Sequence, residues 1–85
     1  MAITSNIISC STTAQVVVNL DDVTQYVSLH SKGAIYIGSV GVTSSTGFLI
    51  DNGDKLSITV PAACSLYAIT ATGNADLYVL TTRVD

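Results

Sequence analysis

Glutamate and tryptophan are absent from this 85-residue chain, and histidine, methionine, proline and phenylalanine occur once each. Each shortage removes a class of function. A hydrolase needs a base beside its nucleophile, and the single His30 stands among serines with no G-x-S-x-G around them. The acids are all Asp, so paired-carboxylate chemistry would fall to Asp21-Asp22 or Asp51/Asp54. The first two are adjacent and the others flank Asn52-Gly53, a setting that reads as turns. The same acids lack the alternation and the closing Glu of a calcium loop. Only Lys32, Lys55 and Arg83 are cationic against six acids, which cannot neutralise the run of phosphates that nucleic-acid binding requires. No nucleic-acid partner is expected.

Cysteine is scarce too. Cys10 and Cys64 lie 54 positions apart with no second ligand pair near either, so no zinc site is expected. The opening stretch has no basic region and its apolar run reaches only Ile7-Ile8, so neither a signal peptide nor a membrane span is expected. In that setting the two thiols are read as reduced, with a disulfide between them as the alternative. Gly41 and Gly47 are spaced wrongly for a phosphate loop, and Phe48 stands where such a loop needs Lys. The aromatics, Tyr26, Tyr36, Tyr67, Tyr78 and Phe48, read as core or sheet-face residues rather than as sugar-stacking platforms. The sequence therefore predicts no enzyme: no catalytic residues, no cofactor and no metal.

What is abundant is β-branched. Val, Ile and Thr make up 29 residues (10, 8 and 11), and such side chains are stiff at χ1 and suit a pleated surface. Residues 1–12, Ser/Thr-rich and without sustained period, read as an N-terminal arm or irregular lead-in. The folded domain is placed at 13–85. Strands are predicted at about 13–18 and 23–30, then over Ala34–Ile37 and Phe48–Ile50. Lys55–Val60 alternates without exception and stops at Pro61. Residues 65–71 and 75–83 read as a closing hairpin about Thr72-Gly73-Asn74. Residues 38–47 read as a loop, with a short extended piece at 40–42. The expected fold class is all-β: a single small antiparallel β-sandwich or barrel of six to seven short strands, with helix content near zero. Its expected core includes Val16, Val18, Val27, Leu29, Ile35, Ile37, Leu56, Ile58 and Val60.

A series of short motifs runs through two-thirds of the chain: Ile35-Tyr36-Ile37-Gly38, Gly41-Val42-Thr43, Gly47-Phe48, Asn52-Gly53, Leu66-Tyr67-Ala68-Ile69 and Leu77-Tyr78-Val79-Leu80. In that order they resemble small β-sandwich proteins and fibre or decoration modules encoded among the virion genes of tailed bacteriophages. The resemblance implies a non-enzymatic structural protein, a capsid decoration or cement protein that docks on the shell and stabilises it. The alternative is a tail or fibre module that binds a host-surface carbohydrate or receptor. It implies major capsid or other virion proteins as partners, with the protein in the virion and, during assembly, in the host cytoplasm.

A chain this short with 48% hydrophobic residues has more apolar side chain than one small domain readily hides, so a homo-oligomer is expected. The resemblance to shell proteins implies a trimer, which suits the three-fold positions of an icosahedral shell. The candidate partner-binding residues are Ile3, Ile7 and Ile8 in the arm and Val40 and Val42 in the loop, because they lie outside the periodic core.

Overall fold

The computed structural model describes residues 2–83; Met1 of the expected arm and Val84 and Asp85 at the end of the expected domain lie outside the described residues. Eight strands are present: β1 (Ala2–Cys10), β2 (Gln15–Val18), β3 (Gln25–Ser31), β4 (Ile35–Gly38), β5 (Phe48–Ile50), β6 (Lys55–Val60), β7 (Leu66–Ile69) and β8 (Ala75–Arg83). They form two four-stranded antiparallel sheets, in the orders β1-β8-β3-β6 and β2-β7-β4-β5. This is the double-sheet arrangement of a jelly roll. No helix occurs among the described residues, so the all-β sandwich expectation holds, with one strand more than the upper expectation.

The extra strand is β1. It pairs with β8 without interruption from Ala2 opposite Arg83 to Cys10 opposite Ala75. The segment expected to be an arm is therefore part of the sandwich, and the boundary at residue 13 is corrected. Its apolar residues were misleading because Ile3 and Ile7 point away from the core, while Thr4 and Asn6 sit in the interior-facing register. A second correction concerns the last hairpin. β7 belongs to one sheet and β8 to the other, so Thr72-Gly73-Asn74 carries the chain between sheets. The turn at 51–54 does the same between β5 and β6. There Gly53 takes φ +85°, and its N–H donates to the Ser31 carbonyl at 2.8 Å. Consecutive strands share a sheet and pair at β4 and β5.

The core between the sheets holds Val18, Val27, Leu29, Ile35, Ile37, Ile50, Val60, Leu66, Ala68, Leu77, Val79 and Cys10. Fully burying each large aliphatic side chain contributes about 1.5–3 kcal/mol. Two expected core residues, Val16 and Ile58, are exposed, and a third, Leu56, packs on the core's margin. Val16 is exposed because a bulge in β2 sets Val16 opposite Tyr67 and Val18 opposite Leu66, so the two valines face opposite sides. Ile58 lies in the interior register, opposite buried Val27, yet is 37% exposed at the sheet edge, and Leu56 is half-buried. Both lie on an edge strand, and the matching edge of the other sheet, β5, has three residues against six in β6. No extended piece forms at 40–42, where the chain turns instead.

Buried polar groups are satisfied. Gln25 Nε2 donates to the Asn19 carbonyl at 3.2 Å, Thr70 Oγ1 donates to the Gly73 carbonyl at 2.7 Å, and Ser31 Oγ donates to the Gly33 carbonyl. No buried side-chain nitrogen or oxygen among the described residues lacks a partner.

Candidate docking surface

Antiparallel register fixes which side chains share the outer face of the β1-β8-β3-β6 sheet. One row runs Ile7, Tyr78, His30, Lys55 across the four strands, the next runs Ser5, Leu80, Ser28, Ser57, and a third runs Ile3, Thr82, Tyr26, Thr59. Ile3 is 71% exposed, Ile7 57%, and Tyr26, Tyr78 and Leu80 stay at least two-fifths open. The rings of His30 and Tyr78 meet edge to face at 6.2 Å between centroids. A shallow depression of about 900 Å³ follows the first two rows. The outer face of the other sheet is apolar as well: Leu49 lies beside Tyr36, and Val16 beside Tyr67. Val40 in the 38–47 loop is 71% exposed and Phe48, opening β5, is 63% exposed.

Of the five candidate contact residues, Ile3, Ile7 and Val40 are open to solvent and two are not. Ile8 is half-buried, because it stands opposite buried Leu77 and packs on the core. Val42 is 7% exposed, folded back under its own loop. Glycines on both sides make the space: a Cβ on Gly38 would lie 2.7 Å from Val42 Cγ2, and one on Gly47 would lie 2.9 Å from the same methyl. Ile8 and Val42 are thus removed from the docking surface, and Ile3 and Ile7 are joined to the sheet face instead of a separate arm. The sequence reading leaves Tyr26 and Tyr78 as core or sheet-face residues and does not name them, or Leu80, as contact candidates; all three are on the exposed face. The even positions of β8 carried the signal, since Leu77 and Val79 alternate with Tyr78 and Leu80.

Lys55 ends the first row of this face, while an acid-base cluster lies at Arg83. Arg83 closes on Asp21 with two hydrogen bonds, Nε to Oδ2 at 2.6 Å and Nη2 to Oδ1 at 3.1 Å, and Asp22 Oδ1 lies 3.7 Å from Nη2. The Arg83 hydrogen bonds, aided by the backbone N–H of Asp22, hold the Asp21 carboxyl well below the usual carboxylate range. A carboxyl depressed in the folded state contributes stability above its unfolded pKa near ~3.9 and loses it as pH falls through the folded value. The melting temperature should therefore fall on acidification below about pH 4. Arg83→Ala should flatten that part of the curve; an unchanged acid limb in the variant would exclude the contact as its source.

The two cysteines are both free, Cys10 buried and Cys64 exposed. Burial, reinforced by the Asp76 carboxylate, pushes the Cys10 thiol up to about 11. It stays protonated at neutral pH, and a protonated, covered thiol is a poor nucleophile. Without reductant, a thiol reagent should label one cysteine of the native protein, Cys64, and both after unfolding. Labelling of neither until reductant is added would mean a disulfide. Because the folded state keeps a proton that the unfolded chain releases, stability should also decline as pH rises past about 9.

Among the described residues no three His, Cys or Asp side chains gather as metal ligands, and no helix is long and apolar enough to cross a membrane. No protein-family model matches the chain, and no curated protein matches it. A solved structure does: a chain from work entitled "Bacillus endospore appendages form a novel family of disulfide-linked pili" superposes with a TM-score of 0.62 over 96% of this chain and 83% of that one. At 19% identity the likeness is one of fold.

Proposed function

We propose that the protein is a non-enzymatic structural subunit of a phage virion, a decoration protein that docks on the shell and stabilises it as a homo-oligomer. The observation that carries this is the distribution of apolar side chains. The interior is already filled, yet Ile3, Ile7, Tyr26, Leu80, Leu49, Phe48 and Val40 remain open on both sheet faces and the loop. Apolar surface on two sides of a small sandwich fits a unit that is covered on more than one side in its working state. The motif series supports the phage setting, and the pilus protein of the same fold supports a building-block role. A three-fold arrangement follows from the symmetry of such shells.

Particles purified from an infected culture should carry this chain in fixed proportion to the major capsid protein. Negative-stain images with an antibody to the chain should show label over the shell. Absence from purified particles would sink the proposal. The second reading, a tail or fibre module for a host carbohydrate, draws on the depression beside Tyr78, where hydroxyls of Ser28 and Ser57 and the Lys55 ammonium flank an aromatic ring. Label confined to the tail would favour it.

A further inference from the structure

β1 is an edge that the fold leaves open. Among the described residues no strand lies beyond it, so along Ala2–Cys10 one side of the backbone pairs with β8 and the other presents unpaired N–H and C=O groups. Such edges template pairing with another chain and are normally blunted by charge, proline, bulges or brevity. The other three edges of this sandwich are treated in those ways. β2 has four residues and a bulge, β5 has three residues, and β6 opens on Lys55 and is followed by Pro61. β1 has nine residues, with no charge, no proline and an unbroken register.

We propose that β1 is a self-pairing edge: two copies join their β1 strands antiparallel across a two-fold axis at Ser5, merging two four-stranded sheets into one. This rests on the reading of the protein as an assembling subunit and names the partner as a second copy. A two-fold axis sets each residue against its own mirror position, which a charged edge cannot tolerate and β1 can. The axis position follows from the exposed side chains. Centred on Ser5, Ile3 of one copy stands opposite Ile7 of the other, and the reverse, so the two exposed large apolar side chains of the strand's outer face cover each other. Centred on Asn6, the same isoleucines would face Ser9 and Ser5. On the inner side Thr4 meets Asn6, two exposed polar groups able to hydrogen-bond to each other. The joined outer faces carry Tyr78 and Leu80 up to the isoleucine pairs and make one apolar stripe. A three-fold arrangement accommodates this contact as six chains.

Light scattering of the wild type should give an even multiple of the 8.8 kDa chain mass, two or six. Ser5→Lys places two ammonium groups across the axis and should halve the mass, or reduce six chains to three, with an unchanged far-UV spectrum because Ser5 is exposed. Ser5→Asp should do the same. An equimolar mixture of the two variants should regain the wild-type mass, since opposite charges then face each other. In the wild type, β1 amides should gain hydrogen-exchange protection as concentration rises through the association range. A wild-type oligomer whose mass neither substitution alters overturns the edge while leaving the assembling role intact, and so does an odd multiple. Dissociated variants that fail to recombine overturn the Ser5 axis. A wild type that stays monomeric at every concentration overturns the assembling role and the edge together.

Discussion

Leu77→Ala is expected to lower the free energy of unfolding by about 2–5 kcal/mol, whereas Leu80→Ala, on the same strand, should change it by less than about 0.5 kcal/mol. Leu77 is fully buried, on a strand with neighbours on both sides, between Ile8 of β1 and Ser31 of β3. Truncation there removes transfer energy and leaves a cavity that a close-packed interior only partly closes. Leu80 stands on the outer face between Ser5 and Ser28 and is 45% exposed. A domain of this size has about 5–15 kcal/mol in total, so the first substitution consumes a large fraction of the margin and the second almost none. Urea denaturation of both variants, at concentrations low enough to keep the chains apart, measures the difference. Equal midpoints would mean that β8 is turned over.

Deleting residues 2–9 is expected to abolish cooperative folding. The deletion takes Ile8 off the core and uncovers Leu77 and Val79, whose rows end on β1. It also turns β8 from a paired strand into an edge with a row of unsatisfied backbone groups along a run of apolar side chains. The truncated chain should lose its thermal transition and precipitate on concentration. A dispensable arm would behave differently: its removal would leave melting intact and affect only docking. A soluble truncation with the wild-type transition would reinstate that reading.

The strands that could be read from the sequence are those whose alternation agrees with their burial. The run 75–83 matches β8 to the residue, since Leu77 and Val79 face inward between more exposed neighbours; Lys55–Val60 matches β6 in its bounds, although only Val60 of its alternating apolar residues is fully buried. β1 escaped because Ile3 and Ile7 face outward while Thr4 and Asn6 share the inward side with Ile8 and Cys10, so no sustained apolar period points to a core. The closing hairpin was misassigned for a topological reason. A Gly-Asn turn between two alternating runs is the signature of adjacent strands, but a sandwich can use the same turn to step from one sheet to the other, and local chemistry does not distinguish these. Within the docking surface, exposure at Ile3, Ile7 and Val40 followed from their standing outside the periodic pattern. Val42 broke that inference because Gly38 and Gly47, far apart in the local pattern, fold together and open a space of one side chain.

Ala2 stands opposite Arg83, so β1 finds its hydrogen-bonding partner only in β8, the last strand of the sandwich in chain order. β8 is also the strand that joins β1 to β3, so two of that sheet's three pairings cannot form until β8 has been made, and only β3 and β6 can pair before it. The first sheet therefore cannot be completed before its last strand exists. Closing the sandwich depends on contacts between its sequence-distant first and last strands, which makes folding slow for the domain's size. Through that interval β1 is an uncharged, β-branched strand with both of its edges open, and crowded nascent chains can pair through it before they pair with themselves. High-level expression should therefore yield more soluble protein when synthesis is slowed than when the chain is made quickly at high concentration.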